Sequence, residues 1–347
     1  MSRRWFYLIP VHGTPTKLVH RVEPGHLDSL PGVKRTYSAW HELAVQLKAM
    51  LAAFRRVAMQ YSPNNLIFYV GMVDAGTIEI IRGFGHEIVS SGDLVAQFEA
   101  ALSDEQIHAH LRARDKIDLI TAEAFREIGR RVRNGGATEY DIQQWIMQAF
   151  LREGLTTAGD KPVVAVNEHS SIPHYSPTPE HSSPIQNGDF VLLDIWVKEN
   201  TPEGVFYDIT WVGSVGEPSP RQREIFDIVG RRSRPRRRYR TFRRLFGTED
   251  LWVGSRPYRS CLHHRQRVRR VFHSPDWTLD WSSIHANGAN LDDLETRDER
   301  EIIPNTCFSV EPGIYMPEFG VRSEVNVLLR AGTAEVTGRI QTELVVI

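Results

Sequence analysis

The sequence predicts an α+β protein in two parts, a small α/β domain over residues 1–102 followed by a larger domain over residues 103–347. Three observations predict it. In the first part, short apolar runs alternate with one stretch of helical periodicity. Two helices with capping-box signatures open the second part. From Pro162 onward the chain reads mostly as strands and turns.

Within residues 1–102, WFYLIPV (from Trp5), NNLIFYVG (from Asn64) and TIEIIRGFG (from Thr77) read as strands, and WHELAVQLKAMLAAFRRVAM (Trp40 to Met59) as a helix. Ser62-Pro63-Asn64-Asn65 reads as the turn after that helix. Ser103 with Gln106 opens a long helix to about Val132, and Asn134-Gly135-Gly136 stops it. Thr138 with Asp141 opens the next helix, which ends at Gly154.

The chain has 347 residues, enough for two cores, and its 41% hydrophobic and 24% charged residues are ordinary for a soluble protein. No apolar run approaches the ~18 residues of a membrane helix. The first residues, MSRRWFYLIPVHGTP, break at Pro10 and His12 and lack a small-residue cleavage site, so they read as a strand rather than a signal peptide. Cys261 and Cys307 provide neither a disulfide framework nor zinc-finger spacing, which fits a reducing cytoplasm. The net charge of −1 conceals an uneven distribution. Residues 231–270 hold 15 arginines, no lysine, and only Glu249 and Asp250 as acids. Without them 27 basic residues face 41 acidic ones, so this segment is compositionally foreign to the rest.

Four acidic residues sit in short apolar runs: Asp194 in FVLLDIWV, Asp208 in VFYDITWV, Glu311 in SVEPGIY and Glu324 in GVRSEVNV. A strand interior disfavours a charge unless it is paired or bound to a cation. Asp194 and Asp208 lie 14 residues apart across the turn KENTPEGV, so a hairpin brings both carboxylates to one point. Singly, either Asp serves equally well as a turn cap or an arginine partner, and Glu311 as a strand-end carboxylate beside a proline. Together the four form a cage for hard divalent cations, which points to a metal-dependent hydrolase. His174 in SIPHYSPT and His285 in SSIHANGANLDD fall in loops, where a lone histidine is usually a surface residue. Beside a carboxylate cage they become donors to a developing oxyanion.

The order His174, Asp194, Asp208, His285, Glu311, Glu324, with the texts PHYSPT, LLDIW, YDIT, SVEPGIY and GVRSE, resembles the pita-bread metallopeptidase family. That family includes the proline-specific aminopeptidases and dipeptidases, the methionine aminopeptidases and the metal-free creatinase. The likeness runs from about Ser103 to Ile347, the arginine-rich stretch excepted, and residues 1–102 are similar to the creatinase-like N-terminal domain of the proline-specific branch. The resemblance implies two divalent metal ions, manganese first, with cobalt or zinc as alternatives. Asp194 would be a terminal ligand of one ion, Asp208 and Glu324 would bridge both, and Glu311 would bind the other and act as general base. Two dications about 3.5–4 Å apart would hold a bridging hydroxide and polarise the scissile carbonyl. Oxygen ligation suits manganese better than it suits a thiolate-loving ion. His174 and His285 would steady substrate and tetrahedral intermediate. Arg322 would hold the site's carboxylates, or else be a surface strand arginine. The implied activity is hydrolysis of the N-terminal bond of short Xaa-Pro peptides by a cytoplasmic homodimer, with no nucleic-acid or membrane partner. Two other classes are a metal-independent, creatinase-like amidinohydrolase, which retention of all four carboxylates argues against, and a catalytically silent binding protein on the same fold.

The family's cage also uses a histidine in the pattern G-H-x-I-G-x-x-x-H, whose last histidine matches His285. The ligand position is then Thr278, in WTLDW, so the ligand is missing. Reading FHSPDWTLDW (Phe272 to Trp281) one base later permits FIHRTGHSIG, with a histidine codon overlapping Thr278 and both glycines forced by the single tryptophan codon. The expectation is that about 230–281 is translated out of frame, with the frame restored at Ser282. The competing reading is an arginine-rich arm that binds nucleic acid through its phosphates.

Overall fold

The computed structural model describes residues 2–233, 288–290 and 297–347, and the chain divides into two units, Met1–Gly92 and Asp93–Ile347. In the first unit β1 (Phe6–Leu8) runs antiparallel to β2 (Thr16–His20), which runs parallel to β3 (Val33–Tyr37). α1 (Trp40–Leu51) buries Leu43, Leu47, Met50 and Leu51 in a cluster with Leu18 and Tyr37, the i, i+4, i+7, i+8 stripe of an amphipathic helix. The helix expected to reach Met59 stops at Leu51, because Arg56–Met59 forms β4, which pairs in parallel with β5 (Glu87–Ser90). A parallel pair needs a crossover between its strands. That crossover contains α2 (Ala75–Gly83), where the sequence had suggested a strand. Asp74 caps α2, its carboxylate accepting from the Thr77 N–H at 2.9 Å, and Thr77, Ile78 and Ile81 form its buried stripe. NNLIFYVG is likewise not a strand but two single 3₁₀ turns, Pro63–Asn65 and Phe68–Val70, with Asn64 and Asn65 at φ 55°.

The second unit begins with α3 (Gly92–Glu99) and α4 (Asp104–Arg133). Ala96, Ala100 and Leu102 cluster with Cys307, Phe308 and Val327, so the division falls at Gly92 rather than at residue 102. Ser103 and Gln106 close the expected capping box on α4. β6 (Ala137–Thr138) leads into α5 (Glu139–Arg152), capped reciprocally by Thr138 and Asp141. β7 (Leu155–Thr156), β8 (Val163–Val166), β9 (Pro184–Ile185), β10 (Phe190–Glu199), β11 (Tyr207–Ser214) and α6 (Pro220–Ser233) follow. After the undescribed residues come β12 (Cys307–Val310), β13 (Gly313–Tyr315), β14 (Gly320–Arg322), β15 (Val325–Arg330), β16 (Thr333–Val336) and β17 (Val345–Val346).

The central sheet pairs β17, β11, β10 and β7 in that order, with β8 also on β10. Side chains alternate across it. Val191, Leu193, Ile195 and Ile209 pack in the core formed with α4 and α5, while Phe190, Leu192 and Val212 pack with α6 and the β13–β14 hairpin. Burial on both faces explains why the runs in β10 and β11 are almost continuously apolar. It also means that a polar side chain on the second face stands out.

Candidate metal centre

β10 and β11 form the expected hairpin, with Asp194 opposite Thr210 and Trp196 opposite Asp208. Residues opposite one another share a face, and so do residues two apart on a strand, which puts Asp194, Asp208 and Thr210 on the side away from α4 and α5. Glu311 and Glu324 arrive differently. The sequence suggested that both lie inside strands, but each stands at a break between two. β12 pairs with β15 through Val310 opposite Val325, and β13 pairs with β14 through Gly313 opposite Arg322. The two ladders share one register, which aligns Glu311 with Glu324 across the interruption. Pro312 has no N–H to donate there, though its carbonyl still accepts from the Ser323 N–H at 3.2 Å. Like charges facing each other across a ribbon are unfavourable unless something between them is positive.

The ribbon is fastened to the hairpin by side chains. The Asn326 amide makes both bonds that a neighbouring backbone would make: its Oδ1 accepts from the Asp208 N–H and its Nδ2 donates to the Asp208 carbonyl, each at 2.9 Å. Asp194, Asp208 and Glu324 thereby converge, buried, with one oxygen from each within 4.8 Å of the others. Glu311 stands beside this trio, half-buried, its carboxylate accepting from the Ser309 hydroxyl at 3.1 Å.

Arg322 is the neighbouring cation. Buried to 3% exposure, it forms an ion pair with Asp194 through Nη2, donates from Nε to Thr210 Oγ1 at 2.9 Å and from Nη1 to the Tyr315 hydroxyl at 3.2 Å. It is no surface strand arginine. Thr210 Oγ1 in turn lies 2.7 Å from Glu324 Oε2 and 3.1 Å from Asp194 Oδ1, and its single proton serves one of them at a time. Glu324 Oε1 is buried with no hydrogen-bond partner among the described residues.

The electrostatics follow from burial and crowding. Burial, then the charges of Glu311 and Asp194, push the Glu324 carboxyl well above its ordinary range, against the pull of Arg322 and Thr210. Burial also raises Asp194, opposed by Arg322, by the Thr210 hydroxyl and by His174. Burial works against the Arg322 charge, but Asp194, Tyr315, Glu311 and Glu324 outweigh it and hold the guanidinium protonated. Each like-charged pair in such a cluster repels by roughly 3 kcal/mol at an effective dielectric near 20. Among the described residues, Arg322 is paired with Asp194, one of three buried carboxylates that have a fourth at their edge. The donor set is all oxygen, and among the described residues one of its oxygens, Glu324 Oε1, has no hydrogen-bond partner, so it fits a hard divalent cation.

His174 lies exposed in the loop that follows the 3₁₀ turn Asn167–Ser171, close enough for its charge to act on Asp194. His285, Thr278, Cys261 and all but the first few residues of the stretch expected to be out of frame lie outside the described residues. Sequence reasoning missed Thr210, Tyr315 and Asn326. Thr210 follows Asp208, and Asn326 follows Glu324, by two positions, so a polar residue one strand period from a candidate ligand was the signal available.

A profile of metallopeptidase family M24 matches residues 115–232. Among curated proteins, the chain is 23% identical over 233 residues to the Xaa-Pro dipeptidase of Lactobacillus delbrueckii subsp. lactis, a match covering 67% of this chain and 58% of that protein. It is 22% identical over 258 residues to the Xaa-Pro dipeptidase of Pyrococcus furiosus, covering 73% of this chain and 67% of that one. The chain thus spans less than two thirds of the length of the first of these relatives. Among solved structures it is similar to the dipeptidase PepE of Mycobacterium ulcerans, with a TM-score of 0.64 and 20% identity over 98% of this chain and 85% of that one. The Xaa-Pro dipeptidase from Bacillus anthracis gives a TM-score of 0.59 and 18% identity over 100% of this chain and 90% of that one. These likenesses show the fold, an α+β pita-bread domain preceded by a smaller unit. The profile match over residues 115–232, the two Xaa-Pro dipeptidases among the relatives and the carboxylates gathered by β10, β11 and the β12–β15 ribbon all point the same way: the chain is similar to the metallopeptidases of family M24.

Proposed function

We propose that the chain is a metal-dependent peptidase that removes the residue preceding proline from short Xaa-Pro peptides. The observation that carries this reading is the convergence of Asp194, Asp208 and Glu324, all three buried, with one oxygen from each within 4.8 Å of the others. These three and Glu311 would hold two divalent ions, manganese first, which when bound supply Lewis acidity and a water that ionises near neutral pH. The chain's own side chains do the rest. Glu311, at the edge of the trio and less buried than it, takes up the proton released by the attacking water. His174, exposed beside the trio, donates to the substrate's carbonyl oxygen as negative charge develops there. Arg322, tied to Thr210 and Tyr315, fixes the orientation of Asp194. The restriction to proline is supported by the Xaa-Pro dipeptidases among the relatives.

A second reading has its own observation. Thr278 stands where the family pattern puts a histidine ligand, so the chain with this sequence would be a weakened enzyme or a silent one. We infer that about 230–281 is translated out of frame, and DNA sequence across both borders tests this: an uninterrupted frame with no base gained or lost defeats it. The peptidase reading is tested with a frame-restored chain and an alanyl-proline dipeptide. Manganese-stimulated release of proline, lost in Asp208→Ala, is the expected result. Cleavage that survives both chelation and Asp208→Ala would overturn the assignment.

A further inference from the structure

Outside the metal centre, a second carboxylate is fully buried. Glu139, at 0% exposure, is the first residue of α5 and reaches away from that helix into the loop between β8 and β9. Its Oε1 accepts from the Val166 N–H at 2.7 Å, where β8 ends and the loop begins. Its Oε2 accepts from the Ser183 N–H at 2.8 Å, where the loop closes, and from the Tyr175 hydroxyl at 2.7 Å. His169 Nδ1 lies 2.9 and 3.0 Å from the two oxygens, and its ring stacks on Tyr175 with centroids 4.3 Å apart. Ser183 completes the seam by accepting from the Glu139 N–H at 3.0 Å. Each oxygen of this carboxylate thus takes backbone N–H from a different end of one loop, and the residue immediately after His174 is bonded to it.

The far side of the loop is fixed independently. The Ser171 hydroxyl donates to the Met316 carbonyl, and the Ser170 hydroxyl accepts from the Gly320 N–H at 2.8 Å, which joins the loop to the hairpin that carries Arg322. A side chain at Gly320 would run into the Ser170 carbonyl, so only glycine permits this approach. A loop of this length with no helix or strand of its own at His174 would otherwise sample many conformations.

We propose that Glu139 is a positioning residue: by binding both ends of the 166–183 loop and Tyr175, it sets His174 beside the carboxylate trio. Its place in catalysis rests on the peptidase reading above, but its hold on the loop does not. Glu139→Gln puts an amide NH₂ where one backbone N–H now donates, so one end of the loop is released. Tyr175→Phe removes a single contact and tests the same idea in a variant that keeps the buried carboxylate.

Hydrogen–deuterium exchange of the metal-loaded chain should show faster exchange at the amides of Ile172, Tyr175 and Thr178, with a smaller change in Tyr175→Phe and none in β10 or β11. In an active preparation, Glu139→Gln should lower kcat/KM by about 10- to 100-fold with metal content unchanged. In a His174→Ala background the same change should cost less than about threefold, because the residue it positions is gone. Unaltered loop exchange in both variants overturns the proposal, as does a full-sized Glu139→Gln effect in the His174→Ala background. A wild-type chain that cleaves no Xaa-Pro peptide counts against the function alone, and the exchange measurement then decides the role of Glu139.

Discussion

At the scale of single residues, Glu324 sits in an electrostatic conflict, its charge opposed by burial and by the carboxylates of Glu311 and Asp194. It is buried among Asp194, Asp208 and Arg322, opposite Glu311, with one oxygen on Thr210 and the other without a hydrogen-bond partner among the described residues. A carboxyl whose folded value is raised weakens the fold above its ordinary value of 4.5, and that penalty disappears as pH falls below it. Glu324→Gln keeps an acceptor for Thr210 and removes the charge. Stripped of metal at neutral pH, this variant should melt a few degrees higher than the parent, a gain on the order of 1–3 kcal/mol, and the gain should shrink toward pH 4.5. Manganese should then raise the melting temperature of the parent and leave the variant nearly unmoved, since only the parent retains all four carboxylates. Thermal denaturation with chelator and with manganese reads both effects. Equal melting of the two stripped proteins would mean that the cluster carries no repulsion to relieve.

At the scale of elements, α4 is locked into the second unit by a polar contact that no periodicity reveals. His110 is fully buried, and the Phe206 carbonyl, 2.7 Å from Nδ1, can only accept, so Nδ1 carries the proton. Nε2 is then the acceptor for the Thr337 hydroxyl at 2.7 Å. Burial lowers this imidazole from 6.5 to about 4, only partly offset by the Phe206 bond. The unfolded chain therefore takes up a proton below pH 6.5 that the folded chain refuses until about pH 4, and stability falls across that window by roughly 3 kcal/mol. Urea midpoints measured over the window should fall in the parent and stay flatter in His110→Gln, and parallel curves would remove His110 from the acid response. The helix itself was readable in the sequence, because the Ser103–Gln106 box and the Asn134-Gly135-Gly136 stop are local signals. So was the Asp194–Asp208 pairing, because a charge in an almost continuously apolar run has few explanations. The α2 helix was not, because TIEII alternates as a strand does and its decisive residue, Asp74, lies before the run. Nor was the placement of Glu311 and Glu324, which depends on one ladder being interrupted and resumed in the same register. His110 escaped because its partners lie 96 and 227 residues away along the chain.

At the scale of the whole molecule, the question is what the missing histidine takes from the site and what it leaves. The described residues supply Asp194, Asp208 and Glu324 with Glu311 alongside, and all of these candidate ligands are carboxylate oxygens. If the site takes two ions, as proposed, a neutral imidazole would add affinity to one of them without adding charge, and its loss would weaken that ion's site and leave the other mainly to the carboxylates. Arg322 sharpens the asymmetry, since it is paired with Asp194 and competes with any ion there for the same oxygens. The chain with Thr278 should therefore take up a first manganese ion at low concentration and a second only weakly, whereas a frame-restored chain should take up two. Calorimetric titration of both proteins, checked by metal analysis after desalting, separates these outcomes. Two ions of equal affinity in the chain as it stands would show that the histidine is dispensable and that the carboxylates alone hold the pair. No uptake by either protein would remove the metal centre, and the peptidase reading with it.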